Sequence, residues 1–413
     1  MKIDLLDIVG KGEGVELINK TKSVVLHGVK KDLQVYKISL NLLNYNTKNG
    51  RISSQINEHE NETGIELNKE YIVASSELNN LIEKFIINSN KTAFKSTKNS
   101  IDNFGQHETG VVLHDGTVID GNRRFTCLRV LSKENSNKLE SLFFEAIILP
   151  KDISRKEIKQ LELQIQHATE EKVDYDVMDK IIDVYKYIKI EKELTVEEYA
   201  KNSNWDKQKI NEYLETYELI DDYLESIHSK GKLYLATNWK LQGPMREIWL
   251  ILKKINDITD KNNIKNTLFN LIKISSSGDL TRVIRDNGKT LLAMSKNDGE
   301  ESQAVFKKLS DLDVELDNMY DNSLPVNENL ANIRSSKYSS EFKESLENHD
   351  ENLRFKNEKK LEKEKLERIY EMINSIDLKK VEISSIEMKK EIIDICEKIE
   401  NKIVEIKTNA EKS

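Results

Sequence analysis

Two cysteines in 413 residues, Cys127 and Cys396, are too few and too far apart for a disulfide framework or a zinc site built on cysteine. No apolar run approaches the roughly 18 uncharged residues of a membrane-spanning helix. Met1 opens a polar stretch without the apolar core of a secretory leader. These absences fit a reducing cytoplasm and no membrane. Only three prolines and 15 glycines interrupt the chain, so long helices are permitted over most of it. Hydrophobic residues make up 38% and charged residues 33%, which is polar for one compact globule, and the length suggests two or three domains. A net charge of −8 excludes a surface coated in basic groups, so any DNA binding needs a local basic patch.

The strongest local signal is Val111-Val112-Leu113-His114-Asp115-Gly116-Thr117-Val118-Ile119-Asp120-Gly121-Asn122-Arg123-Arg124. Apolar residues on either side of Asp115-Gly116 predict a hairpin with a two-residue turn, because both turn positions tolerate positive φ. Gly121 lets the backbone reverse. A helix from Asn122 would then aim its free N–H groups and positive dipole end where Arg123 and Arg124 project, an arrangement suited to phosphate. Asp120 and Asn122 also read as turn and cap residues. Cys127, inside this helix, reads as a small packed residue.

Asp120-Gly121-Asn122-Arg123-Arg124 after a hairpin resembles the signature of the ParB/sulfiredoxin superfamily, in its ParB-like branch. In that family a Gly-x-Arg-Arg box binds nucleotide phosphates, those of CTP in chromosome-partition members. A strand Phe144–Leu149 and a polar helix from about Ser154 to Ala168 follow in the family's order. Within that helix, Leu161-Glu162-Leu163-Gln164-Ile165-Gln166-His167 resembles the second box, Glu-Asn-Ile-Gln-Arg. Leu43-Asn44-Tyr45-Asn46-Thr47-Lys48-Asn49-Gly50-Arg51-Ile52 resembles the Asn-rich loop after the first strand. The likeness covers roughly residues 30 to 235. Thr126 stands where the family has a further arginine, and Leu163, Gln164 and His167 replace Glu, Asn and Arg. Since Leu163 cannot ligate a hard cation, the resemblance supports phosphate binding better than hydrolysis.

The expected fold is α+β. A mixed sheet-and-helix nucleotide domain spans 1–170, with a polar insertion at 56–105 whose one amphipathic stretch is Ser76–Ile87. Gly10-Lys11-Gly12-Glu13-Gly14 lacks a following Gly-Lys-Ser/Thr and reads as a loop. Residues 171–235 read as a helix-turn-helix domain. It begins with a helix from Tyr175 to Ile188. Thr195 and Glu198 then form a capping box, a turn falls at Asn202-Ser203-Asn204, and a second helix starts near Asp206. Residues 236–335 read as a helical domain. Residues 336–413 read as a charged, coiled-coil-like tail with an isoleucine stripe at 392, 395, 399, 403 and 406.

The candidate nucleotide-binding residues are therefore Gly121, Asn122, Arg123, Arg124, Thr126, Gln164, Gln166 and His167. The candidate DNA-reading residues are Lys207, Gln208, Lys209 and Asn211, at the exposed start of the second helix. No histidine pair has metal-ligand spacing, and no metal site is assigned. The implied ligand is a nucleoside triphosphate, CTP first with ATP and GTP as alternatives, accompanied by Mg2+. The implied partners are DNA, a second copy of the chain, and a protein docking on the C-terminal helices. The resemblance points to a nucleotide-switched DNA-binding protein of partition, regulation, or a mobile-element or anti-phage system. The alternatives are a Mg2+-dependent NTPase or nuclease, and an interaction scaffold with a vestigial pocket.

Overall fold

The computed structural model describes residues 4–26, 28–67, 76–134, 143–167, 176–275, 278–296, 300–379 and 385–411, with side chains at 166–167, 301, 350 and 352–361 excluded. The chain divides into two compact units, Met1–Lys343 and Glu344–Ser413.

The first unit begins with a six-stranded mixed sheet. Its strands are β1 (Val15–Leu26), β2 (Val29–Ser39), β3 (Asn44–Tyr45), β4 (Gly110–Val112), β5 (Thr117–Asp120) and β6 (Phe143–Ile148). Their spatial order is β1-β2-β6-β4-β5-β3. β6 runs antiparallel to β2 and parallel to β4, so the box hairpin lies inside the sheet rather than at its edge. Neighbouring residues on a strand point to opposite faces. Val112, Val118 and Ile148 accordingly enter one core cluster, and Val111, Ile119 and Ile147 enter another.

The first cluster is covered by four helices: α1 (Ser53–Thr63), α2 (Ser76–Ser89), α3 (Lys91–Phe104) and α4 (Asn122–Glu134). The second is covered by α5 (Arg155–His167), through Leu161 with Ile158 and Ile165. The expected polar insertion thus becomes one wall of the domain. Its amphipathic segment is α2, and α3, which the sequence reading left unassigned, packs on α4.

The hairpin differs in detail from the two-residue turn expected. Gly116 N–H donates to Leu113 C=O (3.0 Å) and Leu113 N–H donates to Thr117 C=O (2.9 Å). His114 and Asp115 therefore fill the centre of a turn that Gly116 completes at φ +86°. A positive φ at this third position matches the right-handed twist of the flanking strands. Gly116 is held to glycine twice over, since a Cβ there would lie 2.2 Å from the Leu42 carbonyl oxygen.

The helical part continues with α6 (Val177–Tyr185), α7 (Val196–Ser203), α8 (Lys207–Ser226), α9 (Leu233–Asn238), α10 (Gln242–Leu252), α11 (Ile258–Ile274), α12 (Leu280–Ser295), α13 (Glu300–Asn318) and α14 (Val326–Ser335). Tyr175 lies outside the described residues. The single helix expected to Ile188 gives way after Tyr185 to a π-helical turn, Lys186–Ile190. The capping box at Thr195 and Glu198 is present. Asn204 closes α7 in the left-handed region and Asp206 caps α8.

A buried polar cluster joins α5, α6 and α7. Lys159 Nζ lies 2.7 Å from Asp183 Oδ1, and Tyr199 Oη donates to Asp183 Oδ2 at 2.6 Å. With both sides of the charge satisfied, this pair fixes geometry more than it adds stability. In the second unit the helix α15 (Lys337–Asn374) ends and α16 (Ile386–Glu411) follows. Ile395, Ile399, Ile403 and Ile406 on α16 are exposed. No helix among the described residues is long and apolar enough to cross a membrane.

Candidate functional site

β5 ends at Asp120, and Gly121 reverses the chain at φ +96° into α4. The backbone can turn there only because there is no side chain. A Cβ on Gly121 would meet Phe144 Cζ at 2.8 Å and Arg124 Nη2 at 3.1 Å. Phe125 N–H is taken up by Gly121 C=O (2.9 Å). The amides of the helix's first turn, at Asn122 to Arg124, have no intrahelical acceptor.

These groups face a cleft of about 400 Å3. One wall is the strand-to-helix corner itself, Asp120 to Arg124. A second is α3, which presents Ser96, Thr97 and Ser100 on one helical face. Arg51 and Asn49 form a third. The Asn49 side chain accepts from Arg51 N–H (3.1 Å), an Asx turn that fixes the short helical segment carrying Arg51. The volume falls within the range of about 300–1,000 Å3 usual for small-molecule sites.

The two arginines of the box have different surroundings. Arg124 is held by Asp120 (3.0 Å) and Glu108 (2.6 Å). Lys22 also lies 3.8 Å from Asp120, so that carboxylate faces two cations. Arg123 makes no hydrogen bond or ion pair among the described residues. Burial, then the charges of Arg51 and Arg124, lowers its affinity for its own proton. Half-buried positive charge without an acid partner is unfavourable alone and favourable beside an anion. Asn122 contributes a second unsatisfied group: its Oδ1 is buried without a hydrogen-bond partner, while its Nδ2 reaches Ile119 C=O (3.4 Å).

Thr126 and Gln164 lie elsewhere. Thr126 is fully buried, donates to Asn122 C=O (2.9 Å), and shares a hydrogen bond with Tyr45 Oη (2.8 Å). It supports the helix from inside the core and does not reach the cleft. Gln164 lies on α5 and donates to Asn202 Oδ1 (2.7 Å), tying α5 to α7 rather than lining the cleft. Leu163 is buried. The side chains of Gln166 and His167 lie outside the described residues.

Cys127 is buried, and burial pushes its thiol up to about 12, which suits packing and not thiolate chemistry. The expectation of a small packed residue agrees. Arg51 and the α3 hydroxyls were not among the residues singled out from the sequence. Arg51 lies inside the Asn-rich loop that the resemblance named, so a signal for it existed. None marked Ser96, Thr97 or Ser100, which the fold brings in from a stretch read as insertion.

At the second expected site, Lys207, Gln208, Lys209 and Asn211 are all exposed at the start of α8. Lys207 pairs with Glu197 on α7 (3.0 Å), and Lys209 Nζ sits 4.7 Å over the Trp205 ring. No group of three or more metal-ligating side chains occurs among the described residues.

No protein-family model matches the chain, and none of the curated proteins matches it. Among solved structures it is similar to the C-terminally truncated chromosome-partitioning protein ParB from Caulobacter crescentus, complexed with CTP-gamma-S. The identity is 10% and the TM-score 0.19, over 52% of this chain and 91% of that chain.

Proposed function

We propose that the cleft at the start of α4 binds the phosphates of a nucleoside triphosphate, and that the α7–α8 helix pair docks on DNA under control of that nucleotide. The observation that carries the first half is Arg123. It is a half-buried guanidinium with no acid partner among the described residues, facing a concavity beside free helix amides and Arg51. The orphan Oδ1 of Asn122 fits a ligand hydroxyl or amino donor. In this reading Arg123 and Arg51 hold phosphate oxygens, Arg124 is fixed by Asp120 and Glu108 so that the corner keeps its shape, and the α3 hydroxyls face the rest of the ligand. CTP is the nucleotide the sequence resemblance implies. Mg2+ would accompany the phosphates; the acids lining the cleft are Asp120 and Glu108, both already paired with Arg124.

A route from cleft to helices supports the second half. Arg51 runs directly into α1, where Ser54 Oγ donates to Asp179 on α6 (3.2 Å) and is hydrogen-bonded to Thr237 on α9 (2.7 Å). α6 packs against α8. A phosphate engaged by Arg51 therefore acts on the helices behind the DNA-facing surface. A role in DNA partition, regulation, or a mobile-element or anti-phage system follows, with the second copy of the chain that such a switch requires.

Thermal unfolding with CTP, ATP and GTP, each with and without Mg2+, tests the reading. A ligand that binds the folded state raises the melting temperature by mass action. CTP is expected to give the largest rise. No shift with any of the three refutes the pocket.

A further inference from the structure

A second cleft, about 310 Å3, lies in the helical part between the end of α8, α11 and α13. At its base is Lys273, only 4% exposed. Its ammonium makes no hydrogen bond and no ion pair among the described residues. Burial lowers its proton affinity, and the charges of Asp313 and Asp317 act the other way without coming into contact. Asp313 is instead engaged by Asn270, whose Nδ2 lies 2.6 Å from Asp313 Oδ1. That leaves Asn270 Oδ1 buried and without a donor, in a residue 1% exposed. Lys273 and Asn270 are three residues apart on α11 and so share one face.

Two buried groups of opposite need thus lie on one face of α11 and line one cleft without bonding each other: a cation lacking an acceptor and an acceptor lacking a donor. Each alone is costly in a protein interior. The opposite wall supplies Asp313 and Asp317, one turn apart on α13, while Phe269 and Val314 add apolar surface. A plain anion would satisfy Lys273 and be repelled by the two carboxylates. A plain cation would be drawn to the carboxylates, of which Asp313 already accepts from Asn270 and Asp317 lies 3.8 Å from His228 Nε2, and would be repelled by Lys273. A molecule with both charges a few bonds apart meets all of them.

We propose that this cleft is a binding site for a small zwitterion of the α-amino acid class. Its carboxylate lies on Lys273, its ammonium lies between Asn270 Oδ1 and the Asp313–Asp317 pair, and its side chain lies against Phe269 and Val314. The site is separate from the nucleotide cleft and does not depend on that reading.

The test is calorimetry on the full chain with each of the twenty protein amino acids at millimolar concentration. Saturable one-to-one binding of at least one is expected. Lys273→Met should weaken it about tenfold or more, the loss of one hydrogen bond to a charged group. Asp317→Asn, on an exposed side chain, should weaken it too, and keeps the test available if Lys273→Met does not fold. Arg123→Ala should leave it unchanged. Absence of binding by all twenty overturns the proposal. Undiminished binding in both Lys273→Met and Asp317→Asn overturns it as well, as does binding lost only in Arg123→Ala.

Discussion

Arg124 Nη2 rests 3.0 Å from Asp120 Oδ2, across the corner where β5 turns into α4. That contact divides the labour between two adjacent arginines. In the proposed function, the one held by acids shapes the corner, and the one without them takes the ligand.

Substituting each arginine separates these roles. Arg123→Ala removes no hydrogen bond or ion pair seen among the described residues and relieves repulsion from Arg51, so the melting temperature should hold or rise. Nucleotide affinity should fall about ten- to a hundredfold, corresponding to roughly 1.5–3 kcal/mol for hydrogen bonds to a charged group. Arg124→Ala leaves Asp120 and Glu108 without their shared partner. It should lower unfolding stability by about 1–2 kcal/mol. Urea denaturation beside nucleotide titration distinguishes the two patterns.

Gly121→Ala tests the backbone. The residue sits at φ +96°, and its new methyl would press on Phe144 and Arg124. Strain of this kind costs about 1–3 kcal/mol. Both stability and nucleotide binding should drop, and a crystal structure of the variant should show the start of α4 displaced. Unchanged binding would mean the corner does not need this geometry.

Asp179 gives the fold a dependence on pH. Burial, then the charges of Asp176 and Asp183, raises its carboxyl from the ordinary 3.8 to about 7, while the hydrogen bond from Ser54 acts the other way. The folded chain therefore keeps a proton that the unfolded chain has lost. Stability should fall as pH rises from about 4 to 7 and then level off. Asp179→Asn should match the wild type near pH 4 and exceed it above pH 7. The difference is on the order of 4 kcal/mol. Equal stability at pH 8 would show that Asp179 is ionised without penalty.

The proposed docking of α8 on DNA carries a salt signature. Each lysine that neutralises a phosphate adds about 0.9 to the slope of log affinity against log salt. Lys207→Ala and Lys209→Ala should each reduce that slope by about one and weaken binding across sequences. Asn211→Ala, if it faces a base edge, should instead relax discrimination between sites. Binding without salt dependence would remove the DNA role. Neither lysine substitution should change stability much, because both side chains are exposed.

Much of the corner was legible because its signals are local. Gly121 before Asn122-Arg123-Arg124, Thr195 with Glu198, and Asp206 ahead of α8 act within a few residues, where short-range sterics and capping dominate. The turn at Gly116 was placed correctly, but its length depended on how Leu113 and Thr117 pair. Thr126 and Gln164 lie away from the cleft for a different reason. A polar residue on a helix does not announce which neighbour will satisfy it, and here Tyr45 and Asn202 do so from far along the chain. The α3 wall was hidden because the segment around Ser96 and Ser100 is polar enough to read as insertion, and only the packing of α3 on α4 turns those hydroxyls toward the arginines. No local signal marks Lys273 either. Its burial is a property of α11 meeting α13, not of its own sequence neighbourhood.

The most direct test of the central claim is isothermal titration of CTP into the wild-type chain and into Arg123→Ala. One saturable site per chain is expected in the wild type, weakened at least tenfold in the variant. Equal affinity in the two proteins, or no heat of binding in the wild type with CTP, ATP or GTP, would contradict it.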